Sequence, residues 1–271
     1  MAGKIVINEF YSHLDSLFAQ HDMKAVEEYL TQSLAQAKAD DDVPAITAVS
    51  NELAGFYRAA GKVNEAITLS QDVLKKLKDL GEETTENFAV ALQNGANIMM
   101  VSGDLDTALQ MYKTAETILN YRGFEKDYRM AALCNNISAL YRQMGSFEES
   151  EKAAVKSIDI ITEMPEYKIE LATSLVNLGE VRSRLGKYDT AERNLRSALT
   201  IFERESDGKD PHYSAGFAAL GALYYYQGNF EKSISHYKRA MELIERDFGR
   251  TPFYELTERN LKKVEEEMNK Q

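Results

Sequence analysis

The amino-acid sequence predicts an all-α solenoid of antiparallel helix pairs. Three observations carry this. A short turn phrase recurs around Gly61, Gly103, Gly145, Gly186 and Gly228, at spacings of 42, 42, 41 and 42 residues. A fixed period of that size marks a stack of repeats, each packing only on its neighbours. Counting back from each glycine, core residues fall at −11, −8, −7 and −4, the spacing of one helix face. Finally, two positions are small in every copy: Ala54, Ala96, Ser138, Gly179 and Gly221 at −7, and Ala66, Ala108, Ser150, Ala191 and Ser233 at +5. Helices whose axes cross about 8–10 Å apart have no room for a large side chain at the crossing.

Taken in order, residues 5–38 read as a divergent first helix pair. Phe10, Leu14 and Leu17, then Val26, Leu30 and Leu34, fall at helical spacing, with His21-Asp22-Met23 at the turn. Terminal repeats are atypical because one face has no neighbour. The acidic run after Ala39 is a loop, and Pro44 opens the next helix. Five clear units follow, at 44–80, 84–122, 126–163, 165–205 and 211–248, within a single solenoid over 1–271. Behind each turn the second helix carries core residues at +2 (Val63, Leu105, Phe147, Tyr188, Phe230) and at +16 (Leu77, Leu119, Ile161, Phe202, Ile244). The prolines Pro44, Pro165, Pro211 and Pro252 each stand where a first helix begins, since the first turn does not need their missing N–H. Asp210 and Thr251 precede two of them as capping residues, and Ser146-Phe147-Glu148-Glu149 has capping-box spacing. Residues 251–270 form a capping helix that covers the last repeat with Phe253, Leu256, Leu261 and Val264.

Composition bounds the function. Hydrophobic residues make up 44% of the 271, enough for a packed core. The net charge of −11 argues against nucleic acid as a partner, because phosphate binding needs a basic face. No stretch approaches the roughly 20 apolar residues that cross a membrane. One cysteine, Cys134, excludes an intrachain disulfide and fits a reducing cytoplasm, and the first residues lack a secretory apolar run.

The repeat resembles the tetratricopeptide repeat. The residues that carry the likeness are Leu178-Gly179 and Leu220-Gly221 at −8/−7, Tyr57, Tyr141 and Tyr224 at −4, the turn glycine, an aromatic at +2 (Phe147, Tyr188, Phe230) and Ala or Ser at +5. Tyr112, Leu195 and Tyr237 at +9, and Ala115, Ala198 and Ala240 at +12, add to it. The family's Trp at −11 is absent, replaced by Ser50, Leu92, Cys134, Leu175 and Phe217. The long period is similar to that of kinesin light chains and of bacterial sensor and regulator proteins. The resemblance implies a right-handed superhelix with a concave groove lined by the first helices. By phase, the groove would present Asn51, Arg58, Gln93, Asn97, Met100, Asn135, Arg142, Gln143, Glu180, Ser183, Arg184, Tyr225 and Tyr226. A second phased set, Asn94, Asn136 and Asn177 at −9, could either touch a ligand or bond a neighbouring helix, and the structural role is favoured.

What the groove would hold is a protein or peptide partner, anchored by shape and a few polar contacts. A small-molecule or signal-sensing module is the first alternative, and self-association into a homo-oligomer the second. No enzyme is expected. His13, His21, His212 and His236 have no metal-ligand spacing. Cys134 stands at a core position, no catalytic triad pattern is present, and no glycine loop could cradle a phosphate. No cofactor and no metal site is therefore expected.

Overall fold

The computed structural model describes residues 4–20 and 22–270. Among the described residues it has thirteen α-helices and no strand. The chain divides into two compact units, residues 1–125 and 126–271.

The first unit holds three helix pairs: α1 (Ile7–Ala19) with α2 (Met23–Ala39), α3 (Val43–Ala59) with α4 (Val63–Asp79), and α5 (Glu86–Ser102) with α6 (Leu105–Tyr121). Phe10, Leu14, Val26 and Leu30 start its core, which runs through Val49 and Leu53 to Ile98. His21, which the sequence puts in the first turn, lies outside the described residues; Asp22 beside it caps α2 through the N–H of Ala25 at 3.0 Å.

The second unit holds α7 (Tyr128–Gln143) with α8 (Phe147–Ile161), α9 (Lys168–Arg184) with α10 (Tyr188–Ser206), α11 (Pro211–Tyr226) with α12 (Phe230–Phe248), and a last helix α13 (Pro252–Met268). Its core is built from Ala172, Leu195, Phe202, Leu220 and Tyr224, with a smaller cluster of Phe230, Tyr237, Leu261 and Val264 under α13.

The recurring glycine has a backbone cause. Gly61, Gly103, Gly145, Gly186 and Gly228 all have φ between +71° and +88°, the left-handed region that a Cβ disfavours. The N–H of the following residue then reaches back to the carbonyl at −4: Lys62 to Tyr57 at 2.8 Å, Asp104 to Met99 at 3.0 Å, and Ser146, Lys187 and Asn229 to Tyr141, Arg182 and Tyr224 at 2.9 Å. This closes the first helix with the bond pattern of a glycine C-cap and launches the second in the opposite direction.

The small positions meet as their pattern predicts. A Cβ on Gly179 would lie 2.5 Å from Leu195 Cγ. Ser138 Oγ donates to Ser150 O at 2.9 Å, Ser150 Oγ returns a bond to Ser138 O at 2.7 Å, and Ser233 Oγ donates to Gly221 O at 2.7 Å. Serine thus serves where alanine would, because its hydroxyl is satisfied by the backbone it touches.

Three local expectations are corrected. Ser146 makes no side-chain cap to α8. Pro165 opens a one-turn 3-10 segment, Pro165–Tyr167, and α9 starts only at Lys168. On α13 the buried stripe is Tyr254, Thr257, Leu261 and Val264, while Phe253 and Leu256 stay 37% and 45% exposed.

Candidate protein-binding surface

The residues that the sequence assigns to a groove lie on first helices of both units, in varied surroundings. In the first unit Asn51 and Arg58 are on α3 and Gln93, Asn97 and Met100 on α5, all half-buried. Tyr112 on α6 donates its hydroxyl to Asn97 Oδ1 at 2.5 Å and to Met100 Sδ at 3.4 Å. Burial raises the Tyr112 phenol well above its ordinary pKa and the Arg58 charge lowers it only in part, so the hydroxyl stays a donor. Asn97 and Met100 take up the polar tip of this buried tyrosine.

In the second unit the first-helix positions interlock from one repeat to the next. Arg142 on α7 pairs with Glu180 on α9, Nη1 to Oε2 at 3.0 Å. The Arg184 guanidinium lies 4.6 Å from the Phe147 ring centroid and 5.7 Å from that of Tyr226. Tyr225 on α11 turns to the last helix, donating to both carboxylate oxygens of Glu267 at 2.9 Å with Lys263 Nζ over its ring at 5.1 Å. Gln143 is exposed at the end of α7. Ser183 is corrected: it is 3% exposed and its hydroxyl donates to Gly179 O at 2.8 Å, so it is closed to a partner.

Asn135 stands apart. Its Nδ2 donates to Ser174 Oγ at 2.6 Å, and its Oδ1 is buried with no hydrogen-bond partner. An unpaired buried acceptor costs roughly 1–3 kcal/mol. Ser174 cannot supply a second donor, because its own hydroxyl proton goes to Glu170 O at 2.9 Å.

Asn135 borders a cavity of about 350 Å³ between α7, α9 and the start of α11. Tyr128, Ala132, Asn136 and Ala139 form its α7 side, and Ile169, Glu170, Thr173 and Asn177 its α9 side. Ile161, Asp210 and His212 complete it. The Tyr128 ring stacks on Tyr167, centroids 4.2 Å apart, which fixes that wall. Asp210 is already engaged: its Oδ1 accepts the backbone N–H of His212 at 2.8 Å and lies 2.9 Å from His212 Nδ1.

Apart from Asn135, none of the named groove residues lines this cavity. Asn136 and Asn177, which read as structural, do line it. Both are half-buried, and neither makes a hydrogen bond among the described residues. The signal that could have found them was present in their common −9 phase. Tyr128 and Glu170 carried none, because they precede the span over which the repeats align.

Among the described residues no group of three or more His, Cys, Asp or Glu side chains could hold a metal ion, and Cys134 is buried. No helix of the described residues is long and apolar enough to cross a membrane.

Stacked helix pairs with glycine turns and small crossing residues define a helical-repeat protein. The tetratricopeptide repeat model matches residues 128–204 and 170–246. The chain is 23% identical, over 195 residues, to the protein kinesin light chain-related 2 of Arabidopsis thaliana. That match takes in 70% of this chain and only 29% of the relative, so this chain corresponds to less than a third of that protein. Among solved structures it is similar to BtubC (BKLC) from P. vanneervenii, with TM-score 0.69, 22% identity, and 85% of this chain and 94% of that one covered. It is also similar to a Rap protein complexed with competence and sporulation factor, with TM-score 0.67, 14% identity, and 96% and 75% covered. At these identities the likeness is one of fold. The tetratricopeptide repeat is in general a fold that holds other proteins.

Proposed function

We propose that this chain is a non-catalytic interaction scaffold that holds an extended segment of a partner protein against its first-helix face. The observation that carries the proposal is the cavity between α7 and α9, where Asn136 and Asn177 offer unpaired amides. A carboxamide presents one acceptor and two donors, so it can pair with a peptide backbone of any sequence. Along the same three first helices, the Arg142–Glu180 pair and the Arg184–Tyr226 contact extend the surface with charge and aromatic area. In this reading the repeat units at 44–80, 84–122, 126–163, 165–205 and 211–248 are the building blocks, and the protein works in the cytoplasm, as the single buried thiol of Cys134 suits. That the Rap structure was solved with a bound factor is consistent with such use of the fold.

The test is affinity capture from native lysate with wild type and with the triple variant Asn136→Ala/Asn177→Ala/Tyr226→Ala. Loss of the captured proteins by a folded triple variant supports the reading; an unchanged set refutes it.

The cavity also favours a second reading, a small-molecule sensor, since its volume lies at the lower end of ligand pockets. A metabolite that raises the melting temperature of wild type but not of Asn136→Ala/Asn177→Ala would select it.

A further inference from the structure

The geometry points to a cationic side chain, arginine or lysine, of the bound segment as the occupant of the α7–α9 cavity. This rests on the reading of that face as a partner-binding surface and adds the chemistry it selects.

Size comes first. About 350 Å³ takes one long side chain or a small group and is too narrow for a helix of about 10 Å diameter. The walls then divide by chemistry. Ala132, Ala139, Ile161 and Ile169 give an apolar sleeve suited to the methylene stem of Lys or Arg. Acceptors line the cavity as well: the Glu170 carboxylate and the amide oxygens of Asn136 and Asn177. No lysine or arginine lines the cavity, and Asp210 Oδ1 is already engaged by His212.

Glu170 is the discriminating group. Some carboxylates of this unit have cations beside them: Glu180 has Arg142 at 3.0 Å, Glu151 has Lys187 at 2.6 Å and Glu192 has Arg196 at 2.8 Å. Glu170 has no cationic partner among the described residues. Its charge is felt inside the cavity: burial first, then Glu170, then Tyr167 raise the Tyr128 phenol above its ordinary value. An incoming ammonium or guanidinium would neutralise Glu170 and bring donors to a wall that holds unsatisfied acceptors. Lysine brings three N–H donors and arginine five, with no acceptor on either. An acidic side chain would meet the like charge of Glu170.

The test uses four capped tripeptides, Ac-Ala-X-Ala-NH2 with X arginine, lysine, citrulline or glutamate, titrated into the full chain. The side-chain amide signals of Asn135, Asn136 and Asn177 are followed by NMR. Saturable shifts are expected with the arginine or the lysine probe, the tighter of the two naming the preferred cation. The neutral isostere citrulline should bind at least about tenfold more weakly than arginine. Glu170→Gln should remove that advantage while leaving the spectrum otherwise folded, because the Glu170 carboxylate supports no other side chain. The inference is overturned by equal binding of citrulline and arginine, by binding of the glutamate probe, by an unchanged response in Glu170→Gln, or by no shift with either cationic probe at about 10 mM. Should the probes fail while the triple variant above still loses its partners, only the cavity's chemistry is wrong. Should the probes bind while capture is unaffected, the partner-binding reading itself falls.

Discussion

Gly221 on α11 lies against the ring of Tyr237 on α12: a Cβ added there would stand 2.8 Å from Cγ and 2.9 Å from both Cδ atoms. Neither ring atom is the loose end of a flexible chain, since Tyr237 is itself buried in the core under α13. Gly221→Ala would gain up to about 1 kcal/mol of helix propensity. Overpacking costs about 1–3 kcal/mol and outweighs it. The expected outcome is a lower melting temperature by circular dichroism, with helix content retained; a raised one would contradict the close contact.

The serine pair at the equivalent crossing in the α7–α8 repeat makes a milder case. Ser150→Ala removes the 2.7 Å bond to Ser138 O and leaves Ser138 Oγ bonded to Ser150 O. A single buried bond of this kind contributes about 1 kcal/mol. Chemical denaturation should show a loss of that size with an unchanged denaturant slope. A loss several times larger would mean that the hydroxyl supports more than its own bond.

Gly186→Ala tests the turn. The native φ of +71° puts a Cβ in the left-handed region, at a cost of about 1–2 kcal/mol. No atom lies within 4 Å of the added Cβ, so the effect is conformational and not a clash. Gly186→Asn should lose less stability than Gly186→Ala, because asparagine tolerates this region. Equal losses would point to a different cause.

Acid should weaken the α8–α9 junction through Glu151. Its side chain is 16% exposed and bonds Lys187 at 2.6 Å and Arg182 at 2.9 Å. Burial pushes its carboxyl up, but the bonds from Lys187 and Arg182 prevail and hold it below the usual range. A folded pKa below the unfolded one means stability that is fully present above the ordinary carboxylate value and is lost as pH falls through the lowered one. Melting temperature measured from neutral pH downward should therefore fall less steeply for Glu151→Gln than for wild type, the variant already being less stable at neutral pH. Parallel curves would remove Glu151 from the acid response.

Much of the fold was legible because each helix pair meets the same backbone and packing demands. A left-handed turn residue, a small crossing pair such as Gly179 and Ala191, and a buried residue at +16 such as Phe202 are set by local geometry. The face of a first helix could be read in the same way, by phase. Individual contacts on that face could not, because they depend on how neighbouring side chains reach each other. Asn97 is engaged by Tyr112 fifteen residues later, Arg142 by Glu180 in the next repeat and Tyr225 by Glu267 on the last helix. Ser183 has groove phase, yet its short side chain folds back on Gly179 O. On helix α13 hydrophobicity favours Phe253 and Leu256, but the buried stripe follows the spacing that Leu261 and Val264 continue through Tyr254 and Thr257. The cavity was missed for a related reason: Tyr128 and Glu170 stand in first turns, outside the aligned core of the repeat.

The partner-binding claim is tested most directly by calorimetric titration of the shortest segment recovered from a captured partner. Wild type is compared with Asn136→Ala/Asn177→Ala. Neither amide makes a hydrogen bond among the described residues, so the double variant should melt close to wild type. Two bonds to the segment at about 0.5–1.5 kcal/mol each correspond to a Kd about fivefold to 150-fold weaker. An equal Kd for the two proteins would contradict the account.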